Sequence, residues 1–447
     1  MIECFLYAEM FQENQLTHTL LYRGDIYRTN LPMRTVYTLH CFYFQRMKLY
    51  FLNFIFLISF CACTNLDDKN KDKSRIEIPV AKIDSVMVQP KVDSIIHLNP
   101  YYNDISLFIA GLPIDSLSRF TDISKSSEFI EYGKTIEKTF SRFRRKKMDN
   151  LELWRDSTLN DINATTEDVL YPFSGPDIIY AYSVLPKAKN YYLFGLEPVG
   201  IIPDIENYTA RSLPVLFKTI NTSISDNLNL SFFITRKMKV ELSAPAIKGT
   251  VPILLFFMSR MNLHIQDIVP VSLDENGKII KGIDSNENTT VKTFKNGVDI
   301  SFIRPNENKL SHVYYFSLNI NNSGFNNFPR LSMLINSLNN TTTTLVKSSS
   351  YCMHAEKYST IRSLLLNKSD NIIEDDSGIP YLFFDQNLWD MNLYGSYSKP
   401  IAVFKEFMQQ DYKAAFQKES SPINFRFGYS YPSNILVARK KLNDTGE

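Results

Sequence analysis

Apolar residues recur every three or four positions between residues 126 and 154, which is the spacing of one face of a helix. This spacing predicts one long helix or two, and the stretch from Asn99 to the turn at residues 111–113 has a helical pattern as well. We therefore expect a single domain over residues 99–440 that begins with a helical part over residues 99–160.

The pattern changes after residue 165, where short, continuous apolar runs alternate with helical segments. Such runs predict strands buried on both faces, and helices between them predict parallel neighbours. The predicted strands are Asp168–Phe173, Asn190–Glu197, Ile265–Leu273, Val298–Ile303, His312–Leu318, Thr343–Ser348 and Asn371–Glu374. The predicted helices are Ile178–Leu185, Val251–Met261, Pro329–Leu338, Glu356–Leu366 and Phe404–Phe416. The expected fold class is therefore α/β, a mostly parallel sheet covered by helices, with antiparallel strands near the C-terminal end at residues 425–427 and 435–438.

Residues 47–63 have the layout of a bacterial lipoprotein signal peptide. Met47-Lys48 provides a basic start, the following run to Phe60 is apolar, and the small residue Ala62 precedes Cys63. The run is shorter than the stretch of about 20 apolar residues that a transmembrane helix needs. We expect a lipid on Cys63, which makes the membrane a partner and places the protein in the cell envelope, at the outer membrane and facing the periplasm or the surface.

The segments on either side of this signal differ in character. Residues 64–98 begin with a polar, charged stretch that cannot pack, and we interpret them as a tether. Residues 1–46 have no clear amphipathic pattern, and we interpret them as an upstream extension from a mis-assigned start. The alternative is a genuine N-terminal extension ahead of an internal membrane anchor.

Net charge and cysteine content limit the classes of partner, disulfide and metal site that the sequence predicts. The formal net charge of +2 produces no global field that would attract nucleic acid, and no nucleic-acid partner is expected. Of the five cysteines, only Cys352 keeps a free thiol if processing occurs at Cys63. No internal disulfide and no thiolate metal site are then expected, no metal is assigned, and Cys352 is interpreted as a small core residue.

The turn between the first predicted strand and helix is a candidate ligand site. Ser174, Gly175 and Asp177 lie in this turn, Ser174 is positioned to cap the helix, and Glu197 ends the next strand about 20 residues later. In nucleotide-binding folds such a turn holds a cofactor or anionic group at the helix N-terminus, and the acid binds a ribose. The unit resembles the start of class I methyltransferases, although the second and third glycines of the Rossmann pattern are missing. A plain strand–helix turn explains the same residues.

A second cluster follows two later strands. His354 lies near the end of the string SSSYCMH, and Asp375 and Asp376 follow the strand that ends at Glu374. His354 with either aspartate would form an acid–base pair or part of a metal site, whereas a helix-capping histidine and an aspartate-rich turn explain the same residues. Because carboxyl ends of parallel strands meet at one edge, we expect this cluster, the 174–177 turn and Glu197 to lie together.

Five strings give the chain a family resemblance. It is similar to a family of Gram-negative cell-envelope lipoproteins that has no assigned activity, on the strings YPFSGPD (171–177), YLFGLEPVG (192–200), SSYCMH (349–354), DDSGIPY (375–381) and LYGSY (393–397). The resemblance implies no reaction, cofactor, or protein or small-molecule partner. No P-loop, HExxH, GxSxG, CxxC or EF-hand pattern occurs. We therefore favour a binding or structural protein; the alternatives are an enzyme that uses His354, Asp375 and Asp376, or a degenerate nucleotide pocket at the 174–177 turn.

Overall fold

The computed structural model describes residues 19–22, 25–28, 99–209, 211–230, 248–282, 293–294 and 296–441. The chain divides into two compact units, Met1–Pro90 and Lys91–Glu447. In the first unit, β1 (Thr19–Tyr22) pairs antiparallel with β2 (Asp25–Arg28). The predicted signal peptide, Cys63 and the tether lie outside the described residues.

The second unit begins with helices. Asn99 accepts a hydrogen bond from the amide of Tyr101 and so caps the first helix, and Ser126 caps the long third helix through the amide of Phe129. A π-helical segment, Arg144–Met148, interrupts the helical run. The helices of this part are α1 (Pro100–Ile109), α2 (Thr121–Ser124), α3 (Ser127–Phe143), α4 (Asp149–Thr158) and α5 (Asn160–Thr165).

A ten-stranded sheet follows, in the spatial order β13-β14-β12-β11-β3-β4-β10-β9-β6-β7. Its strands are β3 (Asp168–Tyr171), β4 (Asn190–Gly195), β6 (His264–Leu273), β7 (Ile279–Lys281), β9 (Gly297–Ile303), β10 (Leu310–Ser317), β11 (Thr342–Val346), β12 (Asn371–Glu374), β13 (Trp389–Gly395) and β14 (Asn434–Lys440). A separate two-stranded sheet pairs β5 (Gly200–Ile201) with β8 (Thr293–Phe294).

Five central strands of the large sheet, in the order β12-β11-β3-β4-β10, are parallel. Numbered along the chain, they have the order 5-4-1-2-3, which is that of a doubly wound sheet read from its other edge. The expected α/β class is confirmed. Antiparallel strands flank the parallel core on both sides, however: β9, β6 and β7 follow β10 in the sheet, and β14 and β13 follow β12 at the other edge.

Helices cover both faces of the sheet. Val169 and Tyr171 pack into one apolar cluster with the N-terminal helices, whereas Leu170, which points to the opposite face, packs into a second cluster. Each α-helix described after the N-terminal part lies on one of these faces: α6 (Ile178–Val184), α7 (Leu213–Leu230) and α8 (Val251–Arg260) on the first, and α9 (Asn322–Asn327), α10 (Arg330–Ser337), α11 (Ser359–Lys368) and α12 (Gln410–Lys418) on the second. Among the residues described, no helix has the length and apolar character needed to cross a membrane.

Two predicted elements near the C-terminus are wrong. The helix predicted over Phe404–Phe416 is a 3-10 segment, Ala402–Phe407, and the separate helix α12, because Gln409 between them is extended. The side chain of Gln409 bonds to the carbonyl of Asp376 and the amide of Tyr381, and these tertiary bonds hold the extended backbone. The second error is at residues 425–427, which form no strand, since β14 pairs instead with β13.

Candidate functional site

Four chain segments meet at the carboxyl edge of the parallel strands, as expected from their places in the sequence. They are residues 172–177 after β3, 196–197 after β4, 347–351 after β11, and 375–377 after β12. The chain leaves β3 toward β4 on one side, and β11 and β12 lie on the other side. The topological switch point, where doubly wound sheets bind their ligands, is therefore between β3 and β11.

A buried ion pair that sequence reasoning missed lies at this point. The ammonium of Lys347 is 2.9 Å from the Asp177 carboxylate, and the Tyr171 hydroxyl donates to the same oxygen at 2.9 Å. The ring of Tyr180 lies 4.0 Å below the ammonium. Burial, with the negative charge of Asp177, raises the pKa of Tyr171 well above its ordinary value. The signal in the sequence was a lysine directly after the apolar residues of β11.

The prediction that Ser174 caps the following helix is wrong. Its hydroxyl donates to the carbonyls of Phe194 and Gly175, and the N-cap residue of α6 makes no side-chain capping hydrogen bond. Asp177 occupies the cap position, but its carboxylate is used by Lys347 and Tyr171 instead. The serine cap that the sequence predicted is therefore replaced by an ion pair beside the start of the helix.

Glu197 lies against the glycine turn, as its position after β4 predicts. Its Oε2 accepts hydrogen bonds from the amide of Leu196 at 3.1 Å and, at 3.4 Å, from the hydroxyl of Tyr315. A Cβ atom added at Gly195 would lie 2.5 Å from this oxygen, and one added at Gly175 would lie 3.4 Å from it. Gly195 therefore leaves the space that the buried carboxylate fills, and Gly175 lies in contact distance of it.

Asp375 and Asp376 are both buried, and their carboxylates point to different partners. Asp375 accepts hydrogen bonds from the amides of Ser348 and Ser377, both at 3.1 Å, and from the Ser377 hydroxyl. Asp376 accepts one from the Tyr351 hydroxyl and one from Asn434 at 2.9 Å. Burial, with the charge of Asp375, raises the pKa of Asp376 to about 7.

Glu374, at the end of β12, makes three consecutive buried acids, and it was not predicted as part of the site. Its carboxylate accepts a hydrogen bond from the amide of Ile379 at 2.8 Å, and burial raises its pKa well above the ordinary value. A Cβ atom at Gly378 would lie 2.2 Å from this carboxylate. Glu374 therefore holds the turn that follows the two aspartates, and the pKa shift favours its neutral form.

His354 does not pair with either aspartate side chain. Its ring lies 5.1 Å from that of Tyr351 and is hydrogen-bonded to the backbone of Asp376 rather than to its carboxylate. Burial lowers the pKa of His354 to about 4, so the imidazole is neutral at neutral pH. The arrangement does not provide the predicted histidine–aspartate acid–base pair.

The loops at this edge have an unusual backbone. Phe173, Ser348, Ser350 and Tyr351 have positive φ angles between 52° and 60°. Each left-handed residue other than glycine costs on the order of 1–3 kcal/mol, and such strain gathers at ligand and active sites. Two further atoms at this edge, Ser348 Oγ and His354 Nε2, are buried and have no hydrogen-bond partner within the described part of the chain.

Other candidate sites receive less support. Within the residues that the structure describes, no group of three or more His, Cys, Asp or Glu side chains is arranged to hold a metal ion. Cys352 is half-buried, and burial raises the pKa of its thiol. A cavity of about 420 Å³ contains none of the predicted site residues; it is lined by Arg119, Phe120, Asp122, Ile123, Ile205, Glu206 and Tyr208.

The structure thus brings Ser174, Gly175, Asp177 and Glu197 to the same edge as the aspartate pair, with every one of these carboxylates engaged in internal bonds. Comparison of the chain with protein-family models, with curated proteins and with solved structures gives no match.

Proposed function

We propose that this is a lipid-anchored protein of the cell envelope, tethered through Cys63, that binds a ligand without transforming it. The basic start, the short apolar run and the small residue before Cys63 support the anchor. The outer membrane, on its periplasmic or surface face, is the proposed location. The membrane is the proposed partner through the lipid, no nucleic-acid partner is proposed, and a small molecule is the proposed ligand.

The internal bonding of the buried carboxylates is the observation that favours binding over catalysis. A general base must reach the proton of its substrate, within about 3 Å. The carboxylate of Asp375 is occupied by amides and a hydroxyl, and that of Asp376 by a phenol and an amide group. These bonds build a rigid, preformed edge, whereas the histidine that would act with the aspartates bonds to backbone.

The switch point between β3 and β11 is the proposed ligand site. Strained loops border it, and the unbonded polar atoms of Ser348 and His354 lie in the segment that follows β11. Buried polar atoms without partners are uncommon in folded proteins, and a bound ligand is one way to satisfy them. The site therefore has both the topological position and the unsatisfied groups that a ligand needs.

A nucleoside is a second, more specific candidate for this site. The five parallel strands have the order of a doubly wound sheet, in line with the resemblance of the turn after β3 to the start of class I methyltransferases. Glu197 follows the second parallel strand by two residues and lies beside Gly175, close to where such folds place the acid that binds a ribose. The engagement of Glu197 by Tyr315 means that a ribose would compete with an internal hydrogen bond.

The lipid anchor at Cys63 is tested by labelling cells that express the full chain with radioactive palmitate. Label is expected in the wild type and in Cys61→Ser, and it should be lost in Cys63→Ser. A chain that starts at Met47 should reach the same membrane fraction as the full chain. Label retained by Cys63→Ser would refute the anchor assignment.

The ligand site is tested by calorimetric titration of the full chain with adenosine and with S-adenosylmethionine. Binding that weakens in Glu197→Gln, but not in Glu206→Gln on the exposed surface, supports the nucleoside candidate. Turnover of S-adenosylmethionine that disappears in Asp376→Asn would contradict the non-catalytic proposal. Absence of binding by either compound eliminates the nucleoside candidate.

A further inference from the structure

The loop after β11 is held in a strained form by its neighbours. Ser348 donates its amide to Asp375, and Ser350 donates its amide to the hydroxyl of Tyr429 at 3.2 Å. Tyr429 in turn donates to the carbonyl of Ser348 at 2.7 Å. These bonds fix three left-handed residues, and the result is that the Tyr351 hydroxyl reaches the Asp376 carboxylate.

A short segment covers Tyr351. This cover is the 3-10 segment Ala402–Phe407 between β13 and α12. The ring of Phe407 is stacked on that of Tyr351, with centroids 5.2 Å apart and planes 8° from parallel, and the ring of Phe404 lies 4.9 Å away. On the outer side of the cover, Val403 and its charged neighbours Lys405 and Glu406 are exposed to solvent. The cover thus meets Tyr351 through aromatic rings and meets water through its other residues.

The chain just beyond the cover is firmly attached to the rest of the fold. Beyond its C-terminal end, Gln409 is fixed by the carbonyl of Asp376, the amide of Tyr381 and the hydroxyl of Tyr397. Inside the cover the backbone departs from helical geometry at Phe404, with φ −122° and ψ 25°. The cover thus has a fixed attachment after it and an irregular backbone position within it.

The position of Phe407 resembles that of a bound planar group. The ring of Tyr351 is also nearly parallel to that of Tyr429, with centroids 6.4 Å apart and planes 11° from parallel. The ring of His354 lies 5.4 Å from Phe407 and meets it edge-on, and its Nε2 atom has no hydrogen-bond partner among the described residues. A ring in the place of Phe407 would therefore have an aromatic face beneath it and a polar atom nearby.

We propose that the segment Ala402–Phe407 is a hinged cover, and that Phe407 occupies the place of a planar ligand ring bearing a hydroxyl group. With the cover raised, the ligand ring stacks on Tyr351 and its hydroxyl bonds to His354. The inference rests on the proposed ligand-binding function, because it uses the same edge of the sheet and the same unbonded His354 atom, but it does not use Glu197. Failure of nucleosides to bind leaves this inference standing, and its own failure leaves the nucleoside candidate standing.

Phenol and cyclohexanol provide a matched pair of probes, because they share a hydroxyl and a six-membered ring but only phenol is planar. In full-length Phe407→Ala, phenol is expected to raise the melting temperature and to bind about three- to tenfold more tightly than cyclohexanol, from stacking on Tyr351. This preference should shrink when Tyr351→Leu is added, and the phenol affinity should fall when His354→Phe is added. Equal binding of the two probes would overturn the proposal.

Motion of the cover is tested through the thiol of Cys352, which adjoins Tyr351. In full-length chains with Cys4, Cys41, Cys61 and Cys63 replaced by serine, Phe407→Ala is expected to label about tenfold faster than the parent under native conditions. Val403→Ala, on the exposed side of the cover, should label at the parent rate. Phe325→Ala, a core variant far along the chain, is the control for general unfolding. If it lowers the free energy of unfolding as much as Phe407→Ala does and speeds labelling as much, labelling reports general unfolding and the hinge is refuted.

Discussion

The Lys347 ammonium lies 2.9 Å from the Asp177 carboxylate, and both side chains are almost fully excluded from solvent. Lys347 follows β11, and Asp177 begins the helix that follows β3, so the ion pair joins the two strands on either side of the switch point. Charges buried in this way are stable only as a pair, because each alone would lose its hydration without compensation. The pair therefore fixes the relative position of the two loops that border the site.

Breaking this pair is expected to be costly. Lys347→Met leaves Asp177 buried without its cation and should lower the free energy of unfolding by about 3–5 kcal/mol. Arg119→Met breaks an exposed pair with Glu206 that solvent screens, and it should cost far less than Lys347→Met. Urea denaturation measures both, and the double variant Lys347→Met/Asp177→Asn should cost less than the sum of its two single variants. Additive losses would show that the two charges do not stabilise each other.

Substitutions at Glu197 and Gly195 are also expected to have non-additive effects on the free energy of unfolding. An alanine at Gly195 places a Cβ atom 2.5 Å from Glu197 Oε2 and 2.7 Å from the Tyr315 hydroxyl. Gly195→Ala should therefore lower the free energy of unfolding by about 1–3 kcal/mol through overpacking. In the background of Glu197→Ala the same change should cost less, because one of the two crowded atoms is gone. Equal costs in both backgrounds would place the crowding at Tyr315 alone.

The sequence predicted the parallel core well because its strands are continuous apolar runs, as in Val169-Leu170-Tyr171, which can be buried on both faces. The edge at which the candidate residues meet followed from the order of strands and loops. The pairing of the flanking strands was harder to predict. β13 alternates apolar and polar residues from Trp389 onward, as a strand does, but its partner β14 lies about 40 residues away. Pairing over such a distance is decided by tertiary packing rather than by local pattern.

The individual roles of the site residues were not predictable for a different reason. Asp177, Asp375 and Asp376 look alike in sequence, yet one binds a lysine, one binds backbone amides and one binds a tyrosine. These partners come from distant parts of the chain, and only the folded structure selects among them. Lys347 was missed for the same reason. A lysine that follows a strand is typical of an exposed turn, and only the folded structure shows that this one is buried against Asp177.

His354 is expected to make stability fall in acid. Its pKa is lowered by burial to about 4, against an ordinary value of 6.5, so the unfolded chain binds a proton before the folded chain does. The contribution of His354 to the free energy of unfolding is present above about pH 6.5 and is lost as pH falls toward 4. The difference in free energy of unfolding between wild type and His354→Gln should decrease over this range, whereas His264→Gln, an exposed site, should show no such trend.

Asp376 is expected to change stability with pH in the direction opposite to His354. Burial, with the charge of Asp375, raises its pKa to about 7 from an ordinary value of 3.8, so the folded chain binds the proton more tightly than the unfolded chain. Its contribution is fully present below about pH 3.8 and is lost as pH rises through 7. The free energy of unfolding of wild type minus that of Asp376→Asn should therefore fall by a few kcal/mol between pH 4 and pH 8. Denaturation at several pH values measures this difference, with Asp122→Asn, whose side chain is fully exposed, as the control. A difference that is constant with pH would mean that Asp376 is ionised in the folded protein throughout, held so by Tyr351 and Asn434.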